Sequence, residues 1–317
     1  MENDRIVVLG ATGFVGSNIF NRLLKKNHNT IALVRNFKNW RLDERMRKKS
    51  KLISNQKIDA LLDEFKPRLI VNSIANGGYS FQNNLHEMIL SNIEITDTIA
   101  NWALKNNSSI IHFGSSSEYG SNSHGPKEND RENPNSHYAV TKLAGTHILS
   151  KYAKQGLRSI VLRLYSVYGP KEDSSRLMPN IVKGILFNTW PKFTDLNVSR
   201  DFIYIEDVCN LIEILVNRID EFDNFEIFNV GTGKKTTLRD LAQICQKYFN
   251  MPVVEIGYKS RDWDLVDWYA NIDKAKKYLD WNPTTDIKSG LKKMKLWYEE
   301  FDNSKYLGSN FSESEKE

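Results

Sequence analysis

Short continuous runs of apolar and β-branched residues recur through the first half of the chain, at Arg5–Leu9, Thr30–Val34, Leu69–Ile74, Ser109–Phe113 and Ser159–Leu164. Between them lie longer stretches with helical spacing, at Ser17–Lys26, Ile58–Phe65, Met88–Lys105 and Tyr138–Gln155. A strand that is apolar on both sides must be buried on both sides. Such strands alternating with helices therefore predict a parallel sheet covered by helices on each face. Because crossovers are right-handed, the fold class is α/β, a doubly wound parallel sheet.

The pattern changes after Gly169-Pro170. Loops become more frequent, one isolated strand is predicted at Glu226–Val230, and helices are predicted at Thr237–Phe249 and Lys288–Glu300. This divides the chain into a first domain over residues 1–170, with returning segments near 200–235, and a smaller C-terminal substrate-binding lobe over 171–306. A polar tail at 307–317 is expected to fray.

Composition narrows the classes without choosing one. A chain of 317 residues with 40% hydrophobic and 26% charged residues is an ordinary globular protein. Its net charge of +5 comes from 44 basic residues set against 39 acidic ones, and the densest basic run, Arg41 to Lys51, is short. A solvated face explains that run better than a nucleic-acid patch, so no nucleic-acid partner is expected. Cys209 and Cys245 lie far apart inside apolar helical stretches, so a disulfide framework is not expected and both are assigned to the core. The six histidines show no metal-ligand spacing. No apolar run nears the roughly 18 residues that span a bilayer, and the first strand begins at once, so the expected location is the cytoplasm, away from membranes.

The first candidate site is the turn Gly10-Ala-Thr-Gly13-Phe-Val-Gly16, which follows the first strand and opens the first helix. Glycine there permits a tight turn, lets backbone approach a pyrophosphate, and lets helix and strand pack closely, while the helix start offers amides and a positive dipole end. The spacing is Gly-x-x-Gly-x-x-Gly and not the Gly-x-Gly-x-x-Gly of ordinary dehydrogenases, but its place between the first strand and the first helix predicts a dinucleotide site of Rossmann type, the alternative being a purely structural turn. After the second strand the chain reads Val34-Arg35-Asn36, with no carboxylate for a ribose 2′-hydroxyl. Arg35 would pair with the 2′-phosphate of NADP, so NADP is preferred to NAD; the alternative is an exposed surface arginine.

Of thirteen tyrosines, only Tyr138 has a lysine four residues later, Lys142. On a helix the two share a face. An ammonium beside a phenol stabilises the phenolate and lowers a pKa that is otherwise near 10, turning a poor base into a usable one. Upstream, Phe113-Gly-Ser115-Ser-Ser-Glu-Tyr119-Gly120 ends a strand at the carboxyl edge of the sheet, where a serine hydroxyl can hold a reacting oxygen. The other reading of that segment is a serine-rich turn with a helix cap. The chain has no Gly-x-Ser-x-Gly elbow of a serine hydrolase.

The Gly10–Gly16 spacing, Ser115–Gly120 and Tyr138–Lys142 together resemble the NAD(P)-dependent nucleotide-sugar epimerase/dehydratase family of extended short-chain dehydrogenases/reductases. Further blocks follow in family order: Arg163-Leu-Tyr-Ser-Val-Tyr-Gly-Pro170, Arg200-Asp-Phe-Ile-Tyr-Ile-Glu-Asp-Val208, Phe228-Asn-Val-Gly-Thr-Gly233, Arg261-Asp-Trp-Asp264 and Asp273-Lys-Ala with Leu279-Asp-Trp281. The resemblance implies that Tyr138 is the acid/base, Lys142 its partner and Ser115 the third catalytic residue. It implies cofactor contacts at Gly10, Thr12, Gly13, Phe14, Val15, Gly16, Arg35, Ala75, Tyr138 and Lys142. Nucleotide-sugar contacts are implied at Ser116, Ser166, Arg200 and Arg261, the arginines gripping the diphosphate. Ser166 stands where relatives often carry Asn, and Arg261-Asp-Trp-Asp264 where Arg-Pro-Gly-Asp is common. Trp263, Trp268, Trp281 and Trp297 are assigned to packing, with a stacking role open for one of them. A homodimer through helices near 88–105 and 138–155 is also implied.

Among the family's chemistries, 4,6-dehydration needs an Asp/Glu pair after the catalytic hydroxyl residue, and this chain has Ser116 and Ser117 there, with Glu118 one position later where an apolar residue is usual. Arg35 then favours NADPH-dependent reduction of a 4-keto-6-deoxy nucleotide sugar. An epimerase with retained NAD is the alternative, and a non-catalytic NAD(P)-binding regulatory protein the second alternative.

Overall fold

The computed structural model describes residues 4–53, 57–79, 81–189, 193, 195–223, 225–252 and 265–301. Its first half alternates strand and helix: β1 (Ile6–Leu9), α1 (Phe14–Lys25), β2 (Thr30–Val34), α2 (Glu44–Lys48), β3 (Ser50–Leu52), α3 (Ile58–Phe65) and β4 (Leu69–Asn72). Next come α4 (Leu85–Ile89), a π turn (Leu90–Glu94), α5 (Ile95–Lys105), β5 (Ser109–Ser115), a 3-10 segment (Ser116–Asn122), α6 (His137–Ala153) and β6 (Ser159–Leu164). The remainder comprises β7 (Ser166–Tyr168), α7 (Leu177–Phe187), β8 (Ser199–Arg200), β9 (Phe202–Tyr204), α8 (Ile205–Arg218), β10 (Phe225–Val230), β11 (Thr236–Thr237), α9 (Leu238–Phe249), α10 (Asp273–Leu279) and α11 (Ile287–Glu300).

Seven strands form one sheet in the order β10-β6-β5-β4-β1-β2-β3, every neighbouring pair parallel. Residues of a strand alternate between faces, and β1 shows the consequence. Ile6 and Val8 enter a core with Ile19, Phe20 and Leu211, while Val7 and Leu9 enter a second core with Leu61, Ile99 and Leu149. Burial of both faces is why these strands read as unbroken apolar runs, and the doubly wound sheet follows. The chain winds one way from β1 to β3 and the other from β4 to β10. The order reverses between β1 and β4, and their carboxyl ends open the crevice where this architecture binds ligands.

Two expectations become more definite. The strand predicted at Glu226–Val230, inside the segments expected to return near 200–235, is β10 and pairs along the edge of the main sheet, Phe225 opposite Ser159 and Val230 opposite Leu164. The helix predicted over Met88–Lys105 starts earlier and is interrupted by the π turn at Leu90–Glu94. There Asn92 is buried and engaged outside its own helix: its Nδ2 donates to the Asn76 carbonyl and to Thr141 Oγ1, and its Oδ1 accepts from the Asn76 amide. Interruptions of this kind gather at functional sites.

The later elements hang on two buried aspartates. Asp201, between β8 and β9, accepts from the amides of Thr232, Gly233 and Ala270 and from Thr232 Oγ1. Asp207, in the first turn of α8, accepts from the amides of Thr284 and Thr285 and from Thr284 Oγ1. Both residues of the Arg200–Val208 block thus tie separate chain segments together. Cys209 and Cys245 are buried as expected. Trp281 is buried with Nε1 donating to the Asp207 carbonyl, and Trp297 stacks on Phe301, so both serve packing. The Arg41–Lys51 run is solvated on its charged side, while Leu42 and Met46 are buried in the core and Arg41 lies over Trp40 and donates Nε–H to the Lys171 carbonyl. No helix among the described residues is long and apolar enough to cross a membrane. Arg261, Trp263 and the 307–317 tail lie outside the described residues.

Candidate active site

The turn after β1 is built around close approach. Gly10 has φ +79°, and a Cβ there would stand 2.7 Å from backbone of Ser73 at the end of β4. A Cβ on Gly16 would stand 2.4 Å from the Gly10 carbonyl oxygen. The Gly13 amide donates back to that carbonyl at 2.9 Å, which closes the turn. Gly13 is the exposed residue at the start of α1, whose first turn carries no acidic side chain. An anion reaching this helix end therefore meets bare amides and the positive end of the dipole. Those features fit a dinucleotide pyrophosphate. Phe14 and Val15 pack against the core behind the turn, and Thr12 is half-buried in it. Ala75 is exposed in the loop after β4, and Arg35 is exposed one residue beyond β2.

On the other side of the crevice β5 ends at Ser115, a buried residue. Both readings of this segment are realised at once. Ser115 is the cap of the 3-10 segment, its Oγ accepting from the Ser117 amide at 3.1 Å, and its hydroxyl lies near enough to the Tyr138 phenol to favour the phenolate. Tyr138 and Lys142 lie on one face of α6 as their spacing requires, Tyr138 half-buried and Lys142 only 2% exposed. The strand end and the helix thus bring the three predicted residues together.

Their electrostatics differ from expectation in one respect. The Tyr138 pKa is raised, because burial outweighs the lowering by the Ser115 hydrogen bond and the nearby Arg176 cation, while the Glu118 anion pushes it up further. Lys142 is not among the groups that shift it, and its Nζ instead donates to the Phe113 carbonyl at 2.5 Å. Burial pulls the Lys142 pKa down to about 8 against an opposing contribution from Glu118. His112, one residue before Phe113, accepts at Nδ1 from Asn72 Nδ2 and is held well below its ordinary pKa by burial and by the Lys142 charge. It stays neutral beside the site.

The candidate substrate residues are placed unevenly. Ser116 is buried, and its Oγ accepts from Trp268 Nε1 at 3.0 Å. The Arg200 guanidinium lies 4.8 Å over the same indole ring, with Nη1 donating to the Ser199 carbonyl. Trp268 therefore joins Ser116 to Arg200, a role that its assignment to packing missed. Ser166 opens β7, its amide donating to the Asp201 carbonyl. Arg176, which sequence reasoning also missed, lies 5.3 Å from the Tyr79 ring and donates to the Gly78 carbonyl. Nothing local in its sequence signals this; only the fold carries residue 176 back over the loop after β4.

Fold and phosphate-binding turn together define a dinucleotide-dependent enzyme of the doubly wound type. The comparisons agree: the sequence model of the NAD dependent epimerase/dehydratase family matches residues 6–231, and the chain belongs to that family. A putative UDP-glucose 4-epimerase of Methanocaldococcus jannaschii is 28% identical, with 92% of this chain and 97% of that protein aligned. UDP-glucuronate 4-epimerase 1 of Arabidopsis thaliana is also 28% identical, over 92% of this chain and 76% of its own length. Among solved structures, UDP-glucuronic acid 4-epimerase from Bacillus cereus, in complex with UDP-glucuronic acid and NAD, superposes with a TM-score of 0.80 at 22% identity, covering 93% of this chain and 99% of that one.

Proposed function

We propose that this chain is a nucleotide-sugar 4-epimerase that retains NAD, acting on a UDP-linked hexose or hexuronate. The observation that carries the reading is the placement of Ser115, at the carboxyl end of β5, beside Tyr138 of α6, at the same edge of the sheet as the phosphate-binding turn after β1, with Lys142 on the same helix face. Relatives named as 4-epimerases of UDP-glucose and UDP-glucuronate support the substrate class. Gly10, Thr12, Gly13, Phe14, Val15, Gly16 and Ala75 would hold the cofactor, with Lys142 on its nicotinamide ribose. Bound NAD supplies a reversible hydride acceptor at the sugar carbon. Tyr138 takes the proton of the sugar hydroxyl and returns it to the keto oxygen after the sugar has presented its other face. Ser115 holds that oxygen, and a positioned proton donor of this kind contributes about 100- to 10,000-fold.

Arg200 and Arg261 would grip the diphosphate, and Ser116 with Ser166 would contact the nucleotide sugar in the smaller lobe formed by residues after 171. Dehydration is disfavoured by the site itself, because Glu118 is fully buried in an ion pair and cannot serve as acid or base to a sugar. Reduction with NADPH is the second reading, and Arg35 is the observation that favours it: an exposed cation at the edge of β2, with no carboxylate among its immediate neighbours in sequence. Its position equally suits a plain surface arginine, and the comparisons lend the NADP preference no support. A homodimer through α4, α5 and α6 belongs to the same proposal, since Leu85, Leu90 and Val140 are exposed there. Incubation with UDP-glucose, UDP-glucuronate and their N-acetylhexosamine counterparts, followed by NMR of the sugar, tests the reading. Appearance of the C4 epimer is expected, and inversion of none of them would refute it.

A further inference from the structure

We propose that Glu118 is a positioning residue for the reaction: its carboxylate, clamped by Arg163, fixes Ser115 against the face of α6 that carries Tyr138 and Lys142. The inference rests on the reading of Ser115, Tyr138 and Lys142 as the reacting set. Three donors from three elements converge on one carboxylate. Oε1 accepts from the Ser115 amide at the end of β5 at 2.8 Å. Oε2 accepts from Thr146 Oγ1 on α6 at 3.0 Å and from Arg163 Nε on β6 at 2.9 Å. Thr146 lies one turn beyond Lys142 and two beyond Tyr138, so the three make one stripe along α6.

Glu118 and Arg163 are both 0% exposed. Arg163 is held in turn by Glu132 at 2.7 Å, by the Glu128 carbonyl at 3.2 Å and by the Tyr119 ring 4.5 Å from its guanidinium. Tyr119 donates to Asn229 on β10 at 2.8 Å, so the clamp reaches the edge of the sheet. A buried ion pair of this kind adds little net stability, because desolvation offsets most of its attraction; its recognised use is to fix one arrangement over others. What it fixes here is the register between the serine that holds the substrate oxygen and the helix that supplies the proton. Ser115 is anchored twice, at its amide by Glu118 and at its Oγ by the Ser117 amide, which together form a capping box. Without the Glu118 anchor the hydroxyl is free to drift from the Tyr138 phenol. Glu118 also places a negative charge beside both titrating groups, acting on Tyr138 and Lys142 in the same direction.

Glu118→Leu alone strands a buried Arg163 and threatens the fold, so the decisive variant is Glu118→Leu/Arg163→Leu, which removes both charges and leaves half-exposed Glu132 to water. In the NAD-loaded protein turning over a UDP-hexose, the double variant is expected to melt closer to wild type than Glu118→Leu does. Its kcat is expected to fall about 10- to 100-fold, the effect of a displacement near 1 Å at a reacting group. KM and NAD affinity should stay within about threefold, because Glu118 touches neither ligand. A wild-type kcat in the folded double variant would overturn the proposal, as would parallel losses of kcat, KM and NAD affinity. Should the wild-type protein invert no UDP-sugar, the epimerase reading fails separately, and isotope-edited NMR of Lys142 in cofactor-free Glu118→Gln decides this one. A titration midpoint below that of wild type supports the tie between Glu118 and the α6 stripe; an unmoved midpoint overturns it.

Discussion

Gly16→Ala tests whether the turn after β1 is a phosphate cradle or a tight loop with no ligand. The added Cβ would lie 2.3 Å from Ser73 Oγ and 2.4 Å from the Gly10 carbonyl oxygen. The serine hydroxyl can rotate aside, but the carbonyl is backbone, and it also closes the turn by accepting from the Gly13 amide. To restore the 3.4 Å at which ordinary contact begins from 2.4 Å, the start of α1 must move about 1 Å from the turn. A displacement of that size breaks at least one amide–phosphate hydrogen bond, and a bond to a charged group contributes about 1.5–3 kcal/mol. At about 1.4 kcal/mol per tenfold, NAD affinity should drop roughly 10- to 100-fold. Fluorescence titration of cofactor-free protein with NAD measures it, with a thermal melt to show that the variant is folded. Ser73→Ala in the same chain should not restore binding, since the carbonyl clash remains. Gly78→Ala is the control, because a Cβ there meets nothing within 4 Å. If folded Gly16→Ala bound NAD as tightly as wild type, the cradle argument would be wrong.

Tyr138→Phe removes the proton donor while leaving the ring, so turnover should fall about 100- to 10,000-fold with NAD affinity nearly unchanged; steady-state kinetics with a UDP-hexose reads it, and near-normal turnover would exclude the assignment. Lys142 has its pKa pulled to about 8 in the folded chain against 10.5 for a free lysine, so between those values the unfolded chain binds more protons and wild-type stability gains as pH rises. Melts of cofactor-free wild type and Lys142→Met across that window should therefore diverge in favour of wild type with rising pH, and a constant gap would contradict the placement of the ammonium. Asp201→Asn turns one acceptor of a fully used carboxylate into a donor facing donors, for a loss of about 1–3 kcal/mol in denaturant melts. An unshifted midpoint would mean that the Gly231–Gly233 turn is held by something else.

The parts of this fold that were readable in the sequence are those set by burial and by local spacing. Strands Thr30–Val34 and Ser159–Leu164 and helix Ile58–Phe65 begin and end where their apolar patterns do. The Ser115, Tyr138 and Lys142 set was legible because a helical spacing and a strand end are both local. The edge pairing of β10 with β6 was not, since which strands meet depends on the path of the chain between them. α8 was read only as the apolar helical stretch around Cys209, without bounds, although Val208, Leu211, Ile212, Leu215 and Val216 recur at helical spacing, because its start falls inside the Arg200–Val208 motif. Asn92, Glu118 and Trp268 escaped for a common reason: each acts through a partner far away in sequence, at Asn76, Arg163 and Ser116 respectively. The carboxylate at position 118 occupies a place where an apolar residue is usual because the buried Arg163 receives it. The lowered phenol pKa failed because spacing puts Lys142 on the right face but does not show how far burial raises the Tyr138 phenol.

The central claim is that this Ser-Tyr-Lys centre inverts a nucleotide sugar with a cofactor that is not consumed. The most direct measurement follows the reduced-nicotinamide absorbance and the C4 configuration together while the protein acts on a UDP-hexose in large excess. The account expects the sugar to approach its equilibrium mixture over many turnovers with no net change in the nicotinamide band. Oxidation of one NADPH for each 4-keto sugar reduced, with no inversion of UDP-hexoses, would contradict it and establish a reductase.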